Sequence, residues 1–204
     1  MIAAVDYGAG NLANVLKAFR FLGADIEATS SPEVIRRADG IVLPGVGAFG
    51  SAMEELGRRG LDRVLVAEAE AGKPLLGICL GMQLLFDESE EFGVHEGLHL
   101  IPGRIVPFPK DTGLLIPQMG WNENVVVNRD SIFADCLDGT YTYFVHSYYA
   151  ECDRRYIVSG TDYGVEVPSC VESGNVCGMQ FHPEKSGKRG LEMLRRFMER
   201  VDEN

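Results

Sequence analysis

Four short, almost wholly apolar runs limit what this chain can fold into more than any other feature: residues 2–5, 40–44, 74–78 and 176–181, the last interrupted only by Gln180. A strand with one wet face alternates apolar and polar residues. These runs do not alternate, so each must be covered on both faces. Helical patterns lie between them. Leu12, Val15, Leu16, Phe19 and Leu22 recur at helical spacing after Asn11, which is placed as the N-cap, and Gly23 ends the helix. A second strand is expected at 25–28 and a short helix opening at Ser31-Pro32. A helical stretch over 49–71, broken near 57–60, and a helix over 80–86 follow. Strand alternating with helix predicts an α/β fold: an open mixed, mainly parallel central sheet with flanking helices, binding ligands at the C-terminal strand ends.

The second half changes character. Prolines and glycines thicken from 87 to 138, and strands are expected at 141–150, 156–161, 164–171 and 175–180, several of them antiparallel. A last amphipathic helix carries Leu191, Leu194, Phe197, Met198 and Val201 on one face. The 204 residues, 46% hydrophobic and 24% charged, show no repeat, linker or low-complexity segment, so 1–204 reads as one soluble domain. A formal net charge of −11 argues against binding to nucleic acid or an anionic membrane. The five cysteines (Cys79, Cys136, Cys152, Cys170, Cys177) are widely spaced with no CxxC pair, which argues against a disulfide framework or zinc site. No metal or cofactor is expected. No signal peptide is apparent, and the longest mostly apolar run, 74–86, is too short to span a bilayer. A cytoplasmic setting is expected.

The run at 74–78 leads into Gly77-Ile-Cys79-Leu-Gly81, which has the form of a nucleophile elbow with cysteine at its apex. A strained strand-to-helix turn would hold Cys79 at a helix N-terminus, where a thiolate is favoured, with small Gly77 and Gly81 leaving room. A lone cysteine after an apolar run is more often plain core, so the elbow needs a base. His182-Pro183-Glu184 follows the last apolar run. Proline keeps the chain extended there, and residues two apart point the same way, so Glu184 can orient the His182 ring. Alone, that tripeptide reads as a surface histidine beside a solvated glutamate. Together the two signals, each just after a buried strand, point to a nucleophile, a base and an orienter. Pro44-Gly-Val-Gly47 ends its own strand and offers free N–H groups to an oxyanion, with the Leu80 N–H the natural second donor. The alternative there is a simple Pro-Gly turn.

With these motifs in place, the chain resembles the class I (triad) glutamine amidotransferases, which share a flavodoxin-like fold, over essentially its whole length. The general features are Gly77-Ile-Cys79-Leu-Gly81-Met-Gln83 and Gln180-Phe-His182-Pro-Glu184. More narrowly it resembles the glutaminase subunits of imidazole glycerol phosphate synthases. That rests on Asp6-Tyr-Gly-Ala-Gly-Asn11, Leu43-Pro-Gly-Val-Gly-Ala-Phe49, Pro117-Gln-Met-Gly-Trp-Asn122, Tyr143-Phe-Val-His-Ser-Tyr-Tyr149 and Glu184-Lys-Ser-Gly187.

The resemblance implies that Cys79 attacks the side-chain amide of L-glutamine, His182 shuttles the proton and Glu184 holds the ring. It implies Val46 and Leu80 N–H groups as the oxyanion hole, with the Val46 N–H able to sit turned away until the synthase is loaded. It implies glutamine binding by Gly47, Gln83, Ser147 and Tyr148. It further implies a separate cyclase subunit, a (β/α)8 barrel forming a heterodimer and receiving the ammonia for histidine biosynthesis. Gln118, Met119, Trp121 and Asn122 then face that partner. Alternatives stay open at three positions: Gln83 as a helix-surface residue, Trp121 as core, and His146 as either a strand histidine or an interface residue. The rival functions are a glutaminase serving another acceptor (purine, pyridoxal phosphate or anthranilate), a free-standing γ-glutamyl hydrolase, and a silent flavodoxin-like binding module.

Overall fold

Each apolar run becomes a strand whose successive side chains enter opposite layers, as the two-residue strand period requires. In β1 (Ile2–Val5), Ile2 and Ala4 pack with Val15 and Phe19 of α1 (Leu12–Phe21), while Ala3 and Val5 join the core on the other face. The chain continues through β2 (Ile26–Thr29), α2 (Pro32–Arg37), β3 (Gly40–Leu43), α3 (Phe49–Arg58), α4 (Leu61–Glu70), β4 (Leu75–Ile78) and α5 (Leu80–Gln83). The computed structural model describes residues 1–110 and 113–204.

The second half contains β5 (Phe86–Ser89), β6 (His95–Glu96), β7 (Ile101–Pro107), β8 (Gln118–Glu123), β9 (Val125–Val126) and α6 (Ala134–Leu137). Then come β10 (Tyr141–His146), β11 (Tyr148–Cys152), β12 (Ile157–Asp162), β13 (Glu166–Ser173), β14 (Val176–Met179) and α7 (Gly187–Glu203). The main sheet runs β2-β1-β3-β4-β14-β13-β12-β9. Its first five strands are parallel and the remainder antiparallel. Smaller sheets, β10-β8 and β11-β7-β5-β6, lie beside it. Helices cover both faces. Leu56, Leu61 and Leu65 of α3 and α4 pack on one side, and Phe19 of α1 meets Phe197 of α7 edge-on at 6.4 Å on the other. Burying a side chain such as Phe197 contributes roughly 1.5–3 kcal/mol.

The α/β architecture expected from the sequence is the one observed, with four local corrections. The helix expected over 80–86 is a single turn. The Leu84 and Leu85 carbonyls, which would continue it, instead accept from the N–H groups of Leu98, Leu100 and Ile101, and Phe86 opens β5. The strand expected over 141–150 breaks at Ser147 into β10 and β11, which pair with different strands. Asn11 precedes α1 in the left-handed region (φ 72°) and makes no side-chain cap. The stretch 86–126 carries five strands that lack an apolar run, because charged or polar residues such as Asp87, Glu88 and Gln118 occupy them.

Candidate active site

Strands β4 and β14 are parallel neighbours with Ile78 opposite Met179, so the residues leaving both strands emerge side by side at the C-terminal edge. Cys79 comes first. Its N–H donates to the Met179 carbonyl at 2.7 Å, and its carbonyl accepts from Met82 and Gln83, closing the turn of α5. The backbone there is left-handed and strained, at φ 56° and ψ −112°. The flanking glycines are required by close approach. A Cβ on Gly77 would sit 2.5 Å from the Gly81 carbonyl oxygen, and one on Gly81 would strike that of Leu43. The elbow read from the sequence is present. Its helix is too short for the dipole argument to carry much weight.

His182 follows β14. Its N–H donates to Tyr143 at 2.9 Å, and its carbonyl accepts from the Ser186 hydroxyl at 2.7 Å. The residue is extended (φ −97°, ψ 96°), and the chain then tightens into a 3-10 turn over Pro183–Lys185. That turn places Glu184 Oε1 2.8 Å from His182 Nδ1, with both side chains fully buried. Burial lowers the His182 pKa, but Cys79 and Glu184 more than offset it and hold it at about 9. Burial likewise raises Glu184, and its bonds to His182 and Asn11 overcome this, so its carboxyl stays below the usual range. His182 Nε2 is buried without a hydrogen-bond partner, and Cys79 Sγ contacts the Val145 carbonyl at 4.0 Å. Cys79 and His182 are therefore electrostatic neighbours without a closed hydrogen bond. The remaining cysteines are free, and burial disfavours their thiolates: it pushes Cys136 and Cys152 up to about 11 and Cys177 to about 12, and raises Cys170 well above the ordinary thiol range.

The Pro44–Gly47 segment, expected to supply an oxyanion hole, is closed onto Leu80. The Leu80 N–H donates to the Gly45 carbonyl at 3.2 Å, so it is engaged inside the protein. Gly47 sits at φ +109° in open space, a conformation held by the absence of a side chain rather than by crowding.

A cleft of about 340 Å³ is lined by Val46, Gly47, Cys79, Leu80, Gln83, Glu91, Pro117, Val145, His146, Ser147 and Tyr148. It thus gathers Cys79 with every residue assigned above to the oxyanion hole and to glutamine binding. Gln83 is buried, not on the surface. Both hydrogens of its Nε2 are used, on Tyr148 O and Gln180 Oε1 at 3.0 Å each, which leaves its Oε1 for a ligand. His146 is a strand histidine, 7% exposed, whose Nδ1–H donates to the Tyr148 carbonyl at 2.8 Å. Burial pushes its pKa down to about 4. Met119 and Trp121 are 62% and 54% exposed, so Trp121 is not core. Gln118, by contrast, is fully buried and donates to Asn122 Oδ1 at 3.0 Å. Two site residues escaped the sequence reading. Asn11 bonds Glu184 at 2.6 Å, although it lay within a quoted motif, and Glu91 lines the cleft. Among the described residues no cluster has metal-holding geometry, and no helix is long and apolar enough to cross a membrane.

A family model described as glutamine amidotransferase class-I matches residues 3–201. The chain is 52% identical over 204 residues to the imidazole glycerol phosphate synthase subunit HisH of Lactiplantibacillus plantarum, covering 100% of this chain and 98% of that protein. It is also 52% identical over 200 residues to the subunit of the same name from Methanothermobacter thermautotrophicus, covering 98% of each. Among solved structures, a glutamine amidotransferase superposes with a TM-score of 0.77 at 17% identity, over 99% of this chain and 100% of that one. PurLQS from Thermotoga maritima superposes with a TM-score of 0.75 at 21% identity, over 98% of each chain. Those two likenesses establish the fold alone.

Proposed function

This chain belongs to the class I glutamine amidotransferase family, and on that premise we propose that it is the glutaminase subunit of an imidazole glycerol phosphate synthase. It works in histidine biosynthesis as one cytoplasmic domain and hydrolyses L-glutamine to glutamate and ammonia. The observation that carries the chemistry is the strained Cys79 elbow beside a buried His182–Glu184 pair.

Cys79 sulfur, its thiol proton passing to His182 Nε2, attacks the side-chain carbonyl carbon of glutamine. As the C–N bond breaks, His182 gives the departing nitrogen its proton from Nε2, the atom left unpartnered in the resting protein. The resulting γ-glutamyl thioester is attacked by water that His182 deprotonates, which releases glutamate and restores the thiol. Glu184 keeps the Nδ1 proton in place, so Nε2 is the atom that exchanges. Glu91, whose Oε2 also takes the Phe49 N–H at 2.6 Å, brings a negative charge to the cleft that suits the substrate's ammonium. Gln83 and the backbone around Ser147 and Tyr148 contact the same α-amino-acid end.

Stabilising the tetrahedral oxyanion requires turning the Gly45–Val46 peptide. That rotation frees the Leu80 N–H and brings the Val46 N–H alongside it, two donors where negative charge develops. The resting form is therefore expected to be poorly active. A cyclase subunit, a separate (β/α)8 barrel, receives the ammonia. Exposed Met119 and Trp121 supply an apolar surface for it. Incubation with an electrophilic glutamine analogue in the presence of the cyclase, followed by mass spectrometry, tests the assignment. A single adduct on Cys79 is expected; an adduct on another cysteine, or none on reduced protein, contradicts it.

A further inference from the structure

We propose that Asn11 is a positioning residue of the triad, its side-chain amide fixing the Glu184 carboxylate that steers His182. The inference rests on the glutaminase reading and extends it by one residue. Asn11 Nδ2 donates to Glu184 Oε1 at 2.6 Å, and His182 Nδ1 lies 2.8 Å from the same oxygen. The separation of 3.2 Å between Asn11 Nδ2 and His182 Nδ1 follows from that sharing, since two N–H groups converge on one acceptor. The other carboxylate oxygen, Oε2, is buried with no partner. Glu184 is thus oriented through one oxygen. Without Asn11 the carboxylate keeps a single side-chain donor and is free to turn away from the ring.

The amide is itself prevented from flipping. Asn14 Nδ2 donates to Asn11 Oδ1 at 2.9 Å, so the oxygen end is occupied and the nitrogen end must face Glu184. The left-handed backbone at φ 72° suits asparagine and glycine but strains most other residues. Position 11 therefore combines a backbone demand with a donor demand, and asparagine meets both. This also explains why the residue does not cap α1: its amide is committed elsewhere.

Asn11→Gly keeps the backbone conformation and deletes the donor. Asn11→Asp keeps the shape and sets a second carboxylate against Glu184. Glutamine hydrolysis is measured for both in complex with the cyclase subunit, across pH. In Asn11→Gly, kcat is expected to fall about tenfold to a hundredfold, as losing an outer-shell partner commonly costs, with KM changed less than about twofold. The acid limb of the kcat profile moves to higher pH, because a carboxylate that loses a donor is protonated more easily. Asn11→Asp moves it further, since two adjacent carboxylates cannot both ionise freely. A lower melting temperature with an unmoved acid limb and intact kcat would mean Asn11 is only structural, and would overturn the proposal. If one variant does not fold, the other decides. Absence of hydrolysis by the wild-type complex would sink the glutaminase reading itself, an outcome distinct from active but unaltered variants.

Discussion

Glu184→Gln isolates what the buried carboxylate contributes to His182. The substitution keeps the side chain's size and an oxygen acceptor but removes the charge. Burial works against the imidazolium, yet His182 is held at about 9 against an ordinary 6.5, because the Cys79 and Glu184 contacts outweigh the loss of water. Each tenfold in acidity is about 1.4 kcal/mol, so the net preference for the imidazolium is on the order of 3 kcal/mol. The His182 side chain is fully buried, so solvent does not screen that figure away. Glu184 supplies part of that preference, so its loss weakens the imidazolium and lowers the rate. A glutamine can also donate to Nδ1 and stabilise the wrong tautomer, an error that costs about 10⁴ in a serine-protease triad. The expected fall in kcat is therefore about 10² to 10⁴, with KM little changed. The sign with pH is fixed as well. Glu184 raises His182, so the variant loses the catalytic proton at lower pH and the alkaline limb moves down from about 9. Initial rates of glutamate release from the cyclase complex between pH 5 and 10 measure both. A kcat within threefold of wild type, with the limb still near 9, would refute the reasoning.

Other expectations follow from the same geometry. Cys79→Ala removes one of the contacts that raise His182, so an NMR titration should place that histidine lower than in the wild type while hydrolysis disappears; an unmoved titration would contradict their coupling. Trp121→Ala, at a half-exposed ring lying edge-on to Tyr143 at 6.0 Å, should leave thermal stability nearly unchanged and weaken cyclase binding about tenfold or more, measured by calorimetry. Lost stability with intact binding would return Trp121 to the core. Phe197→Ala empties a fully buried site against Phe19 and should cost about 3–5 kcal/mol in urea unfolding, with a loss below about 1 kcal/mol contradicting the packing.

The parts of the fold legible in the sequence are those in which one physical demand dominates. Strands β1, β3, β4 and β14 are covered on both faces and so had to be apolar throughout. Gly60, left-handed at φ +67°, marks the break between α3 and α4 for the same kind of local reason. The strands between Phe86 and Val126 were not legible, because their pairing is set by partners far along the chain and their polar residues disguise the period. Beyond helix α5 the chain at 98–101 claims the Leu84 and Leu85 carbonyls, a contact that no local pattern encodes. In the site, Cys79, His182 and Glu184 were legible as motifs at strand ends, and the structure brings them together. Asn11 lies 173 residues from Glu184, and a helix-cap reading explained it locally, so its bond to that carboxylate was hidden. The role of Gln83 rests on the resemblance, and a motif could not reveal that Tyr148 and Gln180 already take both of its amide hydrogens.

The central claim is a glutaminase whose oxyanion strand rests closed, with the Leu80 N–H held by the Gly45 carbonyl. Glutamate release from glutamine by the isolated chain, and again with the cyclase subunit and its nucleotide ligand present, tests that claim most directly. Little release alone and a large rise in the loaded complex is the expected result. Full activity from the isolated chain, or none in either state with Cys79 reduced, would contradict it.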